Sequence, residues 1–132
     1  MLADFLRFLT GRPPEMDQSE CEAFVDAIVY TMLADKVIDP DEMEAVEEFA
    51  EKLPWKSFDS VHNHVRNSLG RAAKNQNFMK QAEPYLAGIA ARLKTSESRR
   101  YTRDACLKIV KADGEQSRTE LALVELANRA FA

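Results

Sequence analysis

At 132 residues, with 45 % hydrophobic and 30 % charged residues and only 4 Gly and 5 Pro, the chain has the composition of one ordered, mostly helical domain, which excludes intrinsic disorder. A net charge of -4 provides no global attraction to phosphate backbones, so nucleic acid is not an expected partner. No run reaches the roughly 18 apolar residues of a transmembrane helix, and Met1 to Thr10 lacks a basic start and a cleavage site, so the expected location is the cytoplasm.

Residues 1–12 open the chain. Leu2, Phe5, Leu6 and Leu9 fall on one helical face, and Gly11 with Pro13 and Pro14 stops the pattern. Phe8 widens the apolar arc. This short amphipathic helix either docks onto the domain or offers a surface to a partner or a membrane interface.

Residues 19–53 read as a helical hairpin. Ser19 and Glu22 make a capping box, and Phe24, Val25, Ile28, Val29, Met32 and Leu33 form a broad apolar face. After a short acidic turn, Asp39 is placed as an N-cap, Pro40 as first helical residue and Glu42 as the closing partner. Met43, Val46, Phe49, Ala50 and Leu53 face inward from the second helix. A link this short folds the two helices back on each other.

Residues 57–94 hold the central helices. Pro54-Trp55 ends the hairpin, with Trp55 placed to plug the bundle end; Phe58, Val61, Val65 and Leu69 mark a helix that Gly70 can terminate. The next stripe is Phe78, Ala82, Tyr85, Leu86, Ile89, Ala90 and Leu93, with Pro84 inside it. Either the helix passes through Pro84 with a kink, or it starts near Glu83.

Residues 97–132 form a second hairpin. Ser96 or Ser98 caps a helix with Thr102, Ala105, Cys106, Ile109 and Val110 inward, ending at Asp113-Gly114. Ser117 and Glu120 make another capping box, and Leu121, Val124, Ala127 and Phe131 face inward. The two hairpins repeat: Ala34, Asp35, Glu42, Val46 and Glu47 recur at one constant offset as Ala112, Asp113, Glu120, Val124 and Glu125.

The acidic turns carry the strongest candidate chemistry. Asp35, Asp39, Asp41 and Glu42, with Asp113 and Glu120 in the second copy, supply the hard oxygen ligands that Ca²⁺ or Mg²⁺ take. The spacing is not that of an EF-hand, since Lys36 and Val37 stand between the acids. The same carboxylates also serve as helix caps, each stabilising its N-terminus by about 0.3–1 kcal/mol.

Elsewhere the chemistry is thinner. His62 and His64 point about 200° apart on a helix and do not share a metal easily. Cys21 and Cys106 are expected as buried free thiols. Arg99, Arg100, Arg103, Lys108 and Lys111 form a basic helix face, solvated or open to a partner or anion. No nucleophile has a base beside it and no Gly-rich phosphate loop is present, so the chain does not read as an enzyme.

Ala34-Asp35, Ile38-Asp39 and Glu42, answered by Ala112-Asp113-Gly114 and Glu120 at the far end of an all-helical chain, resemble the tellurite-resistance TerB family. The resemblance spans residues 1–132 as a single domain. It implies an all-α, pseudo-twofold bundle of about seven helices, found in tellurite and stress-response systems and in DjlA-type co-chaperones. It further implies a non-enzymatic cytoplasmic binding module that takes a divalent metal at Asp35, Asp39 and Glu42 and at Asp113 and Glu120, with membrane-associated protein partners. Two departures are visible. Lys36 replaces the glycine favoured after the first Asp, and Ser117 stands where the first copy has Asp39, which makes the C-terminal turn the weaker metal site. The alternative is an interaction adaptor working through the N-terminal helix and the basic face.

Overall fold

The computed structural model describes residues 13–33, 40–57, 60–112 and 118–132, except for the side chains of residues 78, 79, 112, 119 and 120. All regular structure among them is helical: α1 (Gln18–Leu33), α2 (Pro40–Glu51), α3 (Val61–Lys74), α4 (Phe78–Ala91), α5 (Ser96–Ala112) and α6 (Arg118–Ala130). The expected N-terminal helix, the acidic links at 34–39 and 113–117, and Phe58 lie outside the described residues.

Helix α1 is the centre of the bundle. It packs against α2, α3, α4 and α5, while α6 closes the far side on α4 and α5. The reason is in its composition: from Ala23 to Leu33 the only polar side chains are those of Asp26, Tyr30 and Thr31, and a helix apolar all round must be buried all round. Phe24 and Tyr30 are fully enclosed. Burying each such side chain contributes roughly 1.5–3 kcal/mol. Phe24 stacks on Phe49 of α2 at 5.6 Å and on Tyr101 of α5 at 5.1 Å between ring centroids, joining three helices. Thr31 and Thr102 satisfy their buried hydroxyls within their own helices, donating to the Ala27 and Ser98 carbonyls at 2.8 Å.

The start of α1 differs from the sequence expectation. The capping box is Asp17 with Glu20, not Ser19 with Glu22: the Glu20 amide donates to Asp17 Oδ1 at 2.9 Å, and the Asp17 amide donates to Glu20 Oε1 at 3.2 Å. Glu20 Oε2 also accepts from the Lys94 amide at 3.0 Å, and the Lys94 ammonium pairs with Asp17. The Cys21 thiol reaches the Pro54 carbonyl, and Gln18 Oε1 accepts from the Lys56 amide. These contacts set the start of α1 beside the end of α2, so the two helices run antiparallel.

Other ends are corrected too. Thr95, rather than Ser96 or Ser98, caps α5; Ser98 closes the box, its amide donating to Thr95 Oγ1 at 3.0 Å. Helix α3 passes through Gly70 and ends at Lys74, where the Asn75 side chain donates to the Arg71 carbonyl at 2.9 Å. Helix α4 runs through Pro84, which is exposed. On α6, Leu121 is 51 % exposed and Leu123 takes the inward place. Ala82, Leu86, Ile89 and Leu93 of the α4 segment, and Thr102, Ala105, Cys106, Ile109 and Val110 of α5, are buried as their spacing predicts.

Candidate functional site

Of the acidic residues, Asp41 and Glu42 fall within the described structure. Both lie in the first turn of α2, whose helix begins at Pro40 as expected. Asp41 is exposed and Glu42 is buried, so the two adjacent carboxylates face different surroundings. Asp35, Asp39 and Asp113 lie outside the described residues, as does the Glu120 side chain. Among the described residues no group of three or more His, Cys, Asp or Glu side chains has the arrangement of a metal site.

Beyond Pro40 the surface opens into a groove of about 640 Å³ between α2 and α3. Met43 and Leu69 supply its apolar part. Glu44 and Glu47 come from α2, His62 and Arg66 from α3. His62 Nδ1 lies 2.5 Å from Glu47 Oε1, a polar tie between the two helices. His64 points the other way, into the bundle, as the spacing of H-x-H requires.

The feature that sequence reasoning missed is Asp26. It sits mid-way along α1 at 1 % exposure, with a carboxylate where every neighbouring position is apolar. Two arginines converge on it from different helices. Arg71, in the last turn of α3, donates from Nη2 to Oδ1 at 2.8 Å, and Arg92, just past the end of α4, donates from Nη2 to Oδ2 at 2.6 Å. Both cations occupy helix C-termini, where the macrodipole favours positive charge.

His64 completes the inner side. Its Nε2 lies 3.2 Å from Asp26 Oδ1 and its Nδ1 lies 3.5 Å from Glu22 Oε1, while the ring packs against Trp55 at 5.3 Å between centroids. The Ser68 hydroxyl, fully buried, lies beside the same carboxylate without a hydrogen bond of full geometry. Burial alone would raise the Asp26 pKa. The contacts from His64, Ser68 and Arg92 outweigh it and hold the carboxyl well below its ordinary range.

A second layer fixes the arginines. The Tyr85 hydroxyl lies against the Arg71 guanidinium, and the Tyr85 ring meets the Tyr30 ring at 4.4 Å between centroids. Tyr30 in turn donates to the Asn75 carbonyl at 2.8 Å. Burial raises both tyrosine pKa values, so each phenol stays protonated and can donate. The enclosed anion is a charge on which α1, α3 and α4 converge through Arg71 and Arg92.

The basic face of α5 is thinner than its sequence suggests. Arg99 is half-buried and donates to the Leu93 carbonyl at 3.0 Å, and Arg103 lies 3.6 Å from Asp104. Arg100, Lys108 and Lys111 remain exposed. Cys21 and Cys106 are buried free thiols, and burial pushes both up to about 11.

Comparisons with protein-family models, with curated proteins and with solved structures return no match.

Proposed function

We propose that this chain is a non-enzymatic, TerB-like binding module of the cytoplasmic stress-response type, which takes a divalent cation such as Ca²⁺ or Mg²⁺ at the Asp35 to Glu42 turn. What supports this reading is the repeated Asp and Glu pattern of the sequence, together with the packing of α1 on α2 and of α5 on α6. In full, the proposal is a seven-helix, pseudo-twofold domain whose first helix lies within residues 1–12. Asp41 and Glu42 bring hard oxygen donors to the start of α2, which suits a cation of this class. The non-enzymatic reading is supported by Asp26, whose carboxylate is saturated by ion pairs.

The test is thermal unfolding of the chelator-treated protein with and without millimolar Ca²⁺, Mg²⁺, Mn²⁺ or Zn²⁺. A cation at a hundredfold excess over its Kd adds about 2.7 kcal/mol, a rise of roughly 10 °C for a chain of this size. The rise should vanish in the Asp35→Asn, Glu42→Gln double variant. No rise with any metal leaves the acidic turns as helix caps.

A second reading, an adaptor for a membrane-associated protein, is favoured by the α2/α3 groove, with its apolar Met43 and Leu69 between an acidic and a basic flank. Such a surface suits an amphipathic helix bearing complementary charges. The N-terminal helix and the exposed Arg100, Lys108 and Lys111 are the other contacts of this reading. Deleting residues 1–12 should then remove membrane or partner association while the core stays folded. Unfolding on deletion would make that helix part of the core.

A further inference from the structure

At Asp26 itself the guanidinium donors outnumber the carboxylate that holds them. Two guanidiniums meet one carboxylate. Among the described residues Asp26 is the only carboxylate within ion-pair distance of either one. Each arginine bonds through a single nitrogen, Nη2, to a different oxygen of Asp26, so neither forms the two-point fork with which arginine usually grips a carboxylate. Beyond the contact of Arg71 with the Tyr85 hydroxyl, the structure shows no further hydrogen-bond partner for these two guanidiniums among the described residues.

Both arginine side chains are partly open to solvent. The Arg71 and Arg92 side chains are 45 % and 36 % exposed, against 1 % for Asp26. The buried carboxylate therefore works as a peg. By holding one nitrogen of each guanidinium on its two oxygens, it fixes the two cations side by side at the ends of α3 and α4, with the protonated Tyr85 hydroxyl against Arg71. Fixing the donors beforehand removes much of the ordering cost that two free surface arginines would bear on binding.

We propose that Arg71 and Arg92, pegged by Asp26 and flanked by Tyr85, form a binding site for a phosphate-class oxyanion. A tetrahedral phosphate monoester has enough oxygens to accept from both guanidiniums and a phenol at once. A soluble phosphomonoester and a phosphate lipid headgroup share this chemistry.

The experiment is a titration of the intact protein with inorganic phosphate at low ionic strength, read by the NMR signals of the arginine side-chain Nε–H groups. The expected result is a saturable shift of the Arg71 and Arg92 signals together, weakening as salt is added. Arg92→Gln should reduce the affinity about tenfold or more, the loss expected for a charged hydrogen-bonding partner. Should Arg92→Gln fail to fold, Arg92→Lys keeps the charge on Asp26 but lacks the planar fork, and it should still weaken phosphate binding. A shift centred on Arg100 instead of Arg71 and Arg92, no saturable shift, or unchanged affinity in the variant that folds each overturns the site. Glycerol 3-phosphate and vesicles of equal parts phosphatidylcholine and phosphatidic acid then separate the sources. Tighter binding to the first supports the site with a soluble ligand, and tighter binding to the second supports it with a lipid headgroup.

Discussion

Replacing Asp26 with Asn removes the charge on which α1, α3 and α4 converge while keeping the side-chain volume. The amide retains one carbonyl oxygen but turns an NH₂ group toward donors from His64, Arg71 or Arg92. Breaking a buried ion pair by removing one partner costs about 3–5 kcal/mol. The low end applies, because both arginines are partly exposed and water can take over their solvation. A loss of about 3 kcal/mol, set against an unfolding entropy near 0.28 kcal/mol/K for this length, lowers Tm by about 10 °C at pH 7. Circular dichroism melts of both proteins across pH measure it. The Asp26 carboxyl is held below its ordinary value of 3.8 in the folded chain, so its stabilisation is complete above that pH and is lost only as pH falls further, through the folded value. The gap between the two proteins should therefore persist at pH 5 and close in stronger acid. A drop smaller than about 3 °C at pH 7, or a gap already closed at pH 5, refutes the reasoning.

Gly70 lies inside α3 on an exposed face where an added Cβ meets nothing within 4 Å. Gly70→Ala should stabilise by about 0.5–1 kcal/mol, and a destabilisation by denaturant titration would mean that the helix does not continue through it. Thr95→Ala removes the cap of α5 and should cost about 1 kcal/mol in the same assay; no loss would leave Ser96 or Ser98 as the working cap. Both cysteines, buried and pushed up to about 11, should react with a thiol reagent at pH 8 only as fast as the chain opens. Rapid stoichiometric labelling of the native protein would contradict their burial.

Much of the helical pattern was legible from periodicity alone. The inward positions of α5 and the apolar stripe of α4 fall where a 3.6-residue repeat puts them, because each of these helices has one buried face and one wet face. That same rule fails for α1. A periodic reading assigns a lone carboxylate to a solvent face, but a helix enclosed on every side has no such face, and Asp26 is carried inward. The signal was present in the sequence as a single charge among apolar residues from Ala23 to Leu33. Its partners were not, since Arg71 and Arg92 come from helices whose approach to α1 no local pattern specifies. The first cap was ambiguous for a related reason. Asp17-x-x-Glu20 and Ser19-x-x-Glu22 both satisfy the capping pattern, and the choice falls to the distant Lys94, which engages Asp17 through its ammonium and Glu20 through its amide.

Whether stability alone accounts for the Asp26 cluster can be tested by replacing the whole network. Replacing a buried ion-pair network with apolar residues of similar volume is often neutral or favourable, because the charges no longer have to be desolvated. The variant carrying Asp26→Leu, Arg71→Met and Arg92→Met should therefore stay within about 1 kcal/mol of the parent chain in denaturant titration, where Asp26→Asn alone loses about 3. If the triple variant falls as far as the single one, the network is there to hold three helices in register, and the surplus guanidinium charge is a consequence of that role. If it keeps its stability but no longer binds phosphate by titration calorimetry, the two arginines serve the ligand, and the carboxylate beneath them serves to aim them.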